Sequence, residues 1–154
     1  MRERAGPAAM AGMPLPPLVG LAGLLVDRIE RRHLQMLADE GFDDVRAAHN
    51  SVLASLPSEG MRLTDLARTA GISKQAMGEL VDDLEAKGYV RREQDPIDGR
   101  AKLIVWADRG SEAHETTMEC FRRIDTELAG VLGDSGLDEL RRLLAQALTA
   151  LGGN

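Results

Sequence analysis

The chain has little cysteine, histidine or aromatic content: one Cys, three His, two Phe, one Trp and one Tyr among 154 residues. A single cysteine cannot close an intrachain disulfide, so a stapled secreted domain is excluded. With only three histidines beside it, no Cys/His zinc signature can be assembled. Aromatics at 3% leave Leu, Val, Ala and Met to build the core, which suits helix packed on helix. Positive charge is not in excess either. The 19 basic and 25 acidic side chains sum to −6, so bulk charge does not mark a nucleic-acid binder. From Arg62 to Lys102 eight basic residues face eight acidic ones, and any such role has to rest on local placement.

A membrane-length apolar run is also missing. Residues 5–26 are uncharged, but Pro7, Pro14, Pro16 and Pro17 interrupt the backbone bonding that a span in lipid requires. The apolar stretch Leu18 to Val26 is too short to cross and continues in helical phase into Asp27, Arg28 and Glu30. The reading is a flexible arm over 1–16 and an amphipathic helix over about 17–40, in a cytoplasmic protein with no membrane partner. Catalytic signatures are lacking. His114-Glu115 starts an H-E-x-x-H pattern that Met118 breaks, and no G-x-S-x-G or dinucleotide fingerprint occurs. No catalytic residue, cofactor or metal is expected.

What is present is helical period. Gly41 ends the first helix, Asp43 or Asp44 is placed to cap the next, and Val45, Ala48, His49, Val52, Leu53 and Leu56 share one face. After the breakers Pro57 to Gly60, Thr64 caps a short helix carrying Leu66, Ala67 and Ala70 inward. Ala70-Gly71-Ile72-Ser73 then supplies a small residue, a glycine for positive φ, an apolar plug and an N-cap. The following helix buries Met77, Leu80, Val81 and Leu84 on one stripe. Period two follows: Tyr89–Glu93 and Ala101–Ala107 read as strands around the turn formers Gln94 to Arg100. From Asp108, another expected cap, a long helix reaches Leu132; Gly133 to Gly136 break it, and a last Leu-rich helix ends the chain.

Helix, tight turn, helix and two-stranded hairpin form a winged helix-turn-helix, so the fold class is mainly α with a small β-hairpin wing. An ordinary helical hairpin beside a β-ribbon is the plainer alternative. A recognition helix enters the major groove with its first turn foremost. Ser73, Lys74 and Gln75 provide that turn, and Gly78 removes a side chain one turn on. Gln pairs with adenine edges, Lys with guanine or phosphate, and Ser with base edges or phosphate. At the wing, Arg100 can reach a narrow minor groove, where negative potential concentrates. Arg91, Arg92 and Lys102 suit phosphate contacts, and Asp98 suits orientation of a nearby cation.

Residues 63–110 carry the run Leu63 to Met77, the segment Asp83 to Arg92, the Asp95-Pro96-Ile97-Asp98-Gly99-Arg100 wing and Asp108-Arg109-Gly110. This stretch resembles the MarR (multiple antibiotic resistance regulator) family, most specifically through the D-P-x-D-x-R wing. With the flanking helices the resemblance spans about residues 18–151. It implies a homodimeric bacterial transcription factor, often a repressor released by a small ligand or an oxidant. It also implies that Arg100 contacts the minor groove and Asp98 steadies the wing. Glu79 and Asp83 depart from the family pattern, in which those positions are basic or neutral. They repel phosphate unless only the first turn touches DNA or neighbours such as Arg62 and Arg68 neutralise them.

The domain reading is an arm over 1–16, dimerisation and linking helices over 17–57, the DNA-binding lobe over 58–107 and C-terminal dimerisation helices over 108–154. The terminal helices carry more apolar stripe than the small lobe can cover, which points to a second copy and a pseudo-palindromic operator. The resemblance implies an effector pocket between the dimer helices and the DNA-binding lobe. His49, a titratable group on an apolar face, is either its ligand-binding residue or a satisfied core histidine, and His33 is placed to border the same pocket. Trp106, Phe121 and Cys120 are expected to pack in the core. The alternative function is a winged-helix protein-interaction module with weak or no specific DNA binding.

Overall fold

A computed structural model describes residues 16–152, so the expected arm over 1–16 lies almost wholly outside the described residues. Helix α1 spans Leu18–Asp39. A single 3-10 turn, Ala47–His49, leads into the short α2, Asn50–Leu53. Strand β1, Met61–Arg62, runs directly into α3, Leu63–Ala70. Helix α4, Lys74–Ala86, is followed by strands β2, Val90–Gln94, and β3, Lys102–Trp106. Two helices close the chain: α5, Asp108–Leu132, and α6, Asp134–Ala150. The helices with one small antiparallel sheet agree with the expected class.

The boundaries differ from the sequence reading in five places. The face from Val45 to Leu56 is not one helix, because the chain tightens into the 3-10 turn before a single α-turn. Asp44 caps nothing; its carboxylate accepts from Tyr89 and Arg109 instead. Thr64 is not the cap of α3, since Met61 and Arg62 pair antiparallel with Ile104 and Leu103, which places the extended residue before the helix at Arg62. Asp108 is the first residue of α5 rather than its cap, and Gly133 alone separates α5 from α6.

The turn between α3 and α4 follows the sequence logic. Gly71 adopts φ 69°, and the Ile72 amide donates to the Ala67 carbonyl, closing the end of α3. Ser73 is extended, and its Oγ accepts from the Ala76 amide at 3.1 Å. Ile72 packs on the main core, which contains Leu37, Val52, Leu66, Met77, Val81, Leu84, Tyr89 and Ile104. Full burial of a side chain such as Leu66 or Met77 contributes about 1.5–3 kcal/mol, so this cluster holds the small lobe together. Met36, Cys120 and Ile124 form a second cluster between α1 and α5. Cys120 is buried there, and burial pushes its thiol pKa up, in keeping with a packing role.

A close approach locks the base of α5 to the lobe. Gly110 lies against the Tyr89 main chain, where an added Cβ would overlap the carbonyl oxygen. Arg109 reinforces the junction. Its guanidinium donates to both Asp44 oxygens at 3.0 and 3.1 Å and lies 4.6 Å over the Tyr89 ring, whose hydroxyl also donates to Asp44. At the other end the apolar faces lack cover: Leu148 is 65% and Leu151 86% exposed on and just beyond α6, and Val19 is 80% exposed on α1.

Candidate nucleic-acid interface and adjoining cavity

The first turn of α4 presents exposed Ser73, Lys74 and Gln75, with the Ser73 hydroxyl engaged in the cap. The helix start adds positive potential from its free amides. Gln75 Nε2 donates to Glu79 Oε1 at 3.2 Å, so the one carboxylate near this tip holds the amide that would read a base. Gly78 is half-buried towards α3, with Leu63 the nearest neighbour of an added Cβ at 4.0 Å.

The other acids of α4 are tied to cations within the lobe. Asp83 accepts from Lys87 Nζ and from His49 Nε2, both at 2.8 Å, and also from Arg46. Lys87 and His49 hold its carboxyl far below the usual carboxylate range. Arg92 pairs with Asp82 at 2.7 Å and with Glu85. The neutralising cations are therefore Arg46, Lys87 and Arg92, not Arg62 or Arg68. Arg68 pairs with Asp65, and Arg62 belongs to the wing. Arg92 faces the carboxylates of α4 rather than standing free for phosphate. Arg91 also turns away from the wing tip, donating to Glu93 at 2.6 Å and to the Trp106 carbonyl at 2.8 Å.

The wing owes its shape to a residue that the sequence reading quoted but gave no role. Asp95 is 5% exposed and accepts from Arg62 Nε and Nη2 at 2.8 and 2.5 Å. Its other oxygen accepts from the Ile97 and Asp98 amides at 2.8 and 3.2 Å, which folds the tip back on itself. The Ile97 amide and the Arg62 guanidinium hold its carboxyl below the ordinary carboxylate value. Aspartate two residues before a turn amide was the available signal. Asp98 accepts from the Arg100 amide at 3.2 Å and faces Arg62 at 3.5 Å, so the cation it orients is Arg62. Arg100 and Lys102 are exposed and, like Lys74, have no ion-pair partner among the described residues.

The two histidines separate. His49 is fully buried, its Nδ1 accepts from the Arg46 amide at 3.1 Å, and its Nε2–H donates to Asp83. That makes it a satisfied core histidine, and it does not reach the cavity. His33 does. It stacks on Phe121 at 4.8 Å, contacts Thr117 Oγ1 at 3.2 Å and lines a cavity of about 480 Å³ between α1, α2, β3 and α5. Burial lowers the His33 pKa, which keeps the ring neutral at neutral pH. Trp106 and Phe121 line the cavity too; Trp106 also packs against the main core as expected, whereas Phe121 departs from that expectation. Phe121 is 39% exposed because the α5 face bearing it has no covering element. His114, beside the Trp106 ring at 5.2 Å, was not foreseen as a lining residue.

Residues 51–101 match the model of the MarR family. That segment, about a third of the chain, is similar to the MarR family. Members of the family are non-enzymatic DNA-binding transcription factors. The MarR fold extends beyond the matched segment. The reduced form of MarR from E. coli superposes with a TM-score of 0.74 at 24% identity, covering 88% of this chain and 99% of that one. A Staphylococcus aureus MepR mutant bound to an oligodeoxyribonucleotide gives 0.60 at 19% identity, covering 89% and 99%. S. aureus MepR bound to ethidium bromide gives 0.60 at 21% identity, covering 88% and 97%. Among curated proteins nothing matches. No helix among the described residues is long and apolar enough to cross a membrane.

Proposed function

We propose that the chain is a homodimeric, effector-responsive transcriptional repressor that reads a pseudo-palindromic operator. One observation carries the DNA-contact part. Lys74, Gln75, Arg100 and Lys102 stand exposed on the tips of α4 and the wing, while Asp82, Asp83 and Glu85 are tied to Arg46, Lys87 and Arg92. The interface therefore offers DNA more positive potential than the acidic composition of α4 suggests. Lys74 and Lys102 contact phosphate, Gln75 reads a base edge, and Arg100 enters the minor groove. Ser73 contributes a capped helix start, and Asp98 acts through Arg62 in shaping the wing. The oligonucleotide carried by the MepR relative supports this assignment by analogy of fold.

The second copy follows from Val19, Leu148 and Leu151, apolar side chains exposed near both ends of the described chain. Covering them in a two-fold dimer spaces the recognition helices by about 34 Å, one turn of a duplex. The cavity beside His33 is the proposed effector site. It adjoins both α5 and the sheet, so its occupant can bias how the two lobes sit. Selection of bound fragments from genomic DNA tests the whole reading. Recovery of a two-fold symmetric motif is expected, and recovery without sequence preference overturns it.

A further inference from the structure

The apolar cavity opens beside a second depression of about 530 Å³, and the two share Leu56, Trp106 and His114 on their walls. Their chemistry is opposite. The first is walled almost wholly by apolar and aromatic side chains, its one charged lining residue being Glu30. A volume of about 480 Å³ suits one small organic molecule. The second is polar and carries Glu59, Glu93 and Glu115 against a single cation, Arg91. That cation is already spent, because Arg91 donates to Glu93 and to the Trp106 carbonyl. Neither wall offers a free positive charge, and both offer carboxylates.

We infer that the effector is a small amphipathic cation, its aromatic or alkyl body in the apolar cavity and its ammonium group in the adjoining acidic groove. This rests on the effector role proposed above and adds the sign of charge and the direction in which the ligand lies. Trp106 and His114 form the threshold between the two depressions, with rings 5.2 Å apart. Trp106 lines both depressions, which places an aromatic ring beside the bound cation, a further source of attraction. An organic carboxylate there meets the unpaired acids Glu59 and Glu115 and no unpaired cation, since Glu93 and Arg91 neutralise each other, so its binding is opposed. A neutral ligand of the same shape gains the apolar contacts alone.

The chain contains one tryptophan, so its fluorescence reports events at this threshold directly. The test titrates the full-length protein with phenylbutylamine, phenylbutanol and phenylbutyrate, which share a body and differ in charge. The expected result is saturable change in Trp106 emission, with the amine bound roughly tenfold more tightly than the carboxylate at low salt and the gap narrowing at high salt. In the double variant Glu59→Gln, Glu115→Gln, two exposed positions where folding is not at stake, the amine should lose most of that advantage while the alcohol binds as before. Equal binding of all three compounds, or tightest binding of the carboxylate, overturns the cationic assignment and leaves an effector cavity in place. No binding of any of them overturns the cavity as an effector site as well. Emission that changes with protein concentration but not with ligand identifies a second copy as the occupant and overturns both.

Discussion

His49 and Asp83 join the linker before α2 to the recognition helix through one hydrogen bond of 2.8 Å, from a fully buried ring to a partly exposed carboxylate. Nδ1 of the same ring accepts from the Arg46 amide, which fixes the proton on Nε2. Replacing the imidazole removes both partners at once and leaves a hole in the core. His49→Ala should cost about 2–4 kcal/mol of stability, read by urea denaturation. A loss below 0.5 kcal/mol (about the scatter of surface substitutions) would show that the pair carries no structural role.

The two buried histidines set a pH dependence. Burial, the first cause for each, lowers both pKa values from 6.5 in the folded state. The unfolded chain therefore takes up protons first as pH falls. The stability from these rings is complete above 6.5 and is lost progressively below it. Thermal melts at about pH 8 and about pH 5.5 should show a lower Tm in acid, and the drop should shrink in His33→Gln. An unchanged slope in that variant would remove His33 from the account.

Asp95 gives a prediction about a residue that need not touch DNA. Its carboxylate holds Arg62 and two wing-tip amides. Asp95→Ala leaves those donors unpaired at a cost of about 1–3 kcal/mol. Hydrogen exchange should speed up in residues 95–101, and DNA affinity should fall with it. Arg100→Ala should instead lower affinity by about 1–3 kcal/mol with exchange unaltered. Similar exchange profiles for the two variants would erase this distinction.

Glu79 and Gln75 should trade affinity against discrimination. Glu79→Ala removes a carboxylate near phosphate and should raise affinity for all sequences by a few-fold at low salt. It also frees the Gln75 amide, so base preference at one position per half-site should weaken. Gln75→Ala should show the second effect without the first. Competition binding against operator variants checks both.

Covering the apolar ends is the basis of the proposed dimer. Leu148→Lys combined with Leu151→Lys places charges on the exposed apolar side chains that the proposed second copy would cover. Sedimentation should report a monomer, and operator affinity should collapse because one half-site alone is held. A dimer of unaltered stability would move the interface elsewhere.

The order of helices, the wing and the α3–α4 turn were legible because each rests on neighbours in sequence: a stripe repeating every three or four residues, Gly71 at positive φ, Ser73 at a cap. Strand β1 was not, since a two-residue strand shows no alternation and exists only through its pairing with β3. The segment from Val45 to Leu56 kept helical spacing while folding as a tighter turn, a difference that side-chain periodicity barely records. The candidate site was legible in its exposed groups and hidden in its pairs. Asp83 looked like a repulsive charge because two of its three partners, Arg46 and His49, lie 37 and 34 residues away, and only Lys87, at i+4, is a neighbour in sequence. Arg92 looked available because nothing local in sequence showed that Asp82 and Glu85 face β2.

Gly110 has a mechanical consequence. With no clearance between its Cα and the Tyr89 main chain, the 25-residue α5 is fixed rigidly to the sheet at its first turn, so the two turn together as one lever. At 1.5 Å per residue the arm is about 37 Å long, so a pivot of about 5° sweeps its far end through about 3 Å. Any load applied along that arm, by a bound molecule or by a twin subunit, is delivered to the finger that holds Arg100.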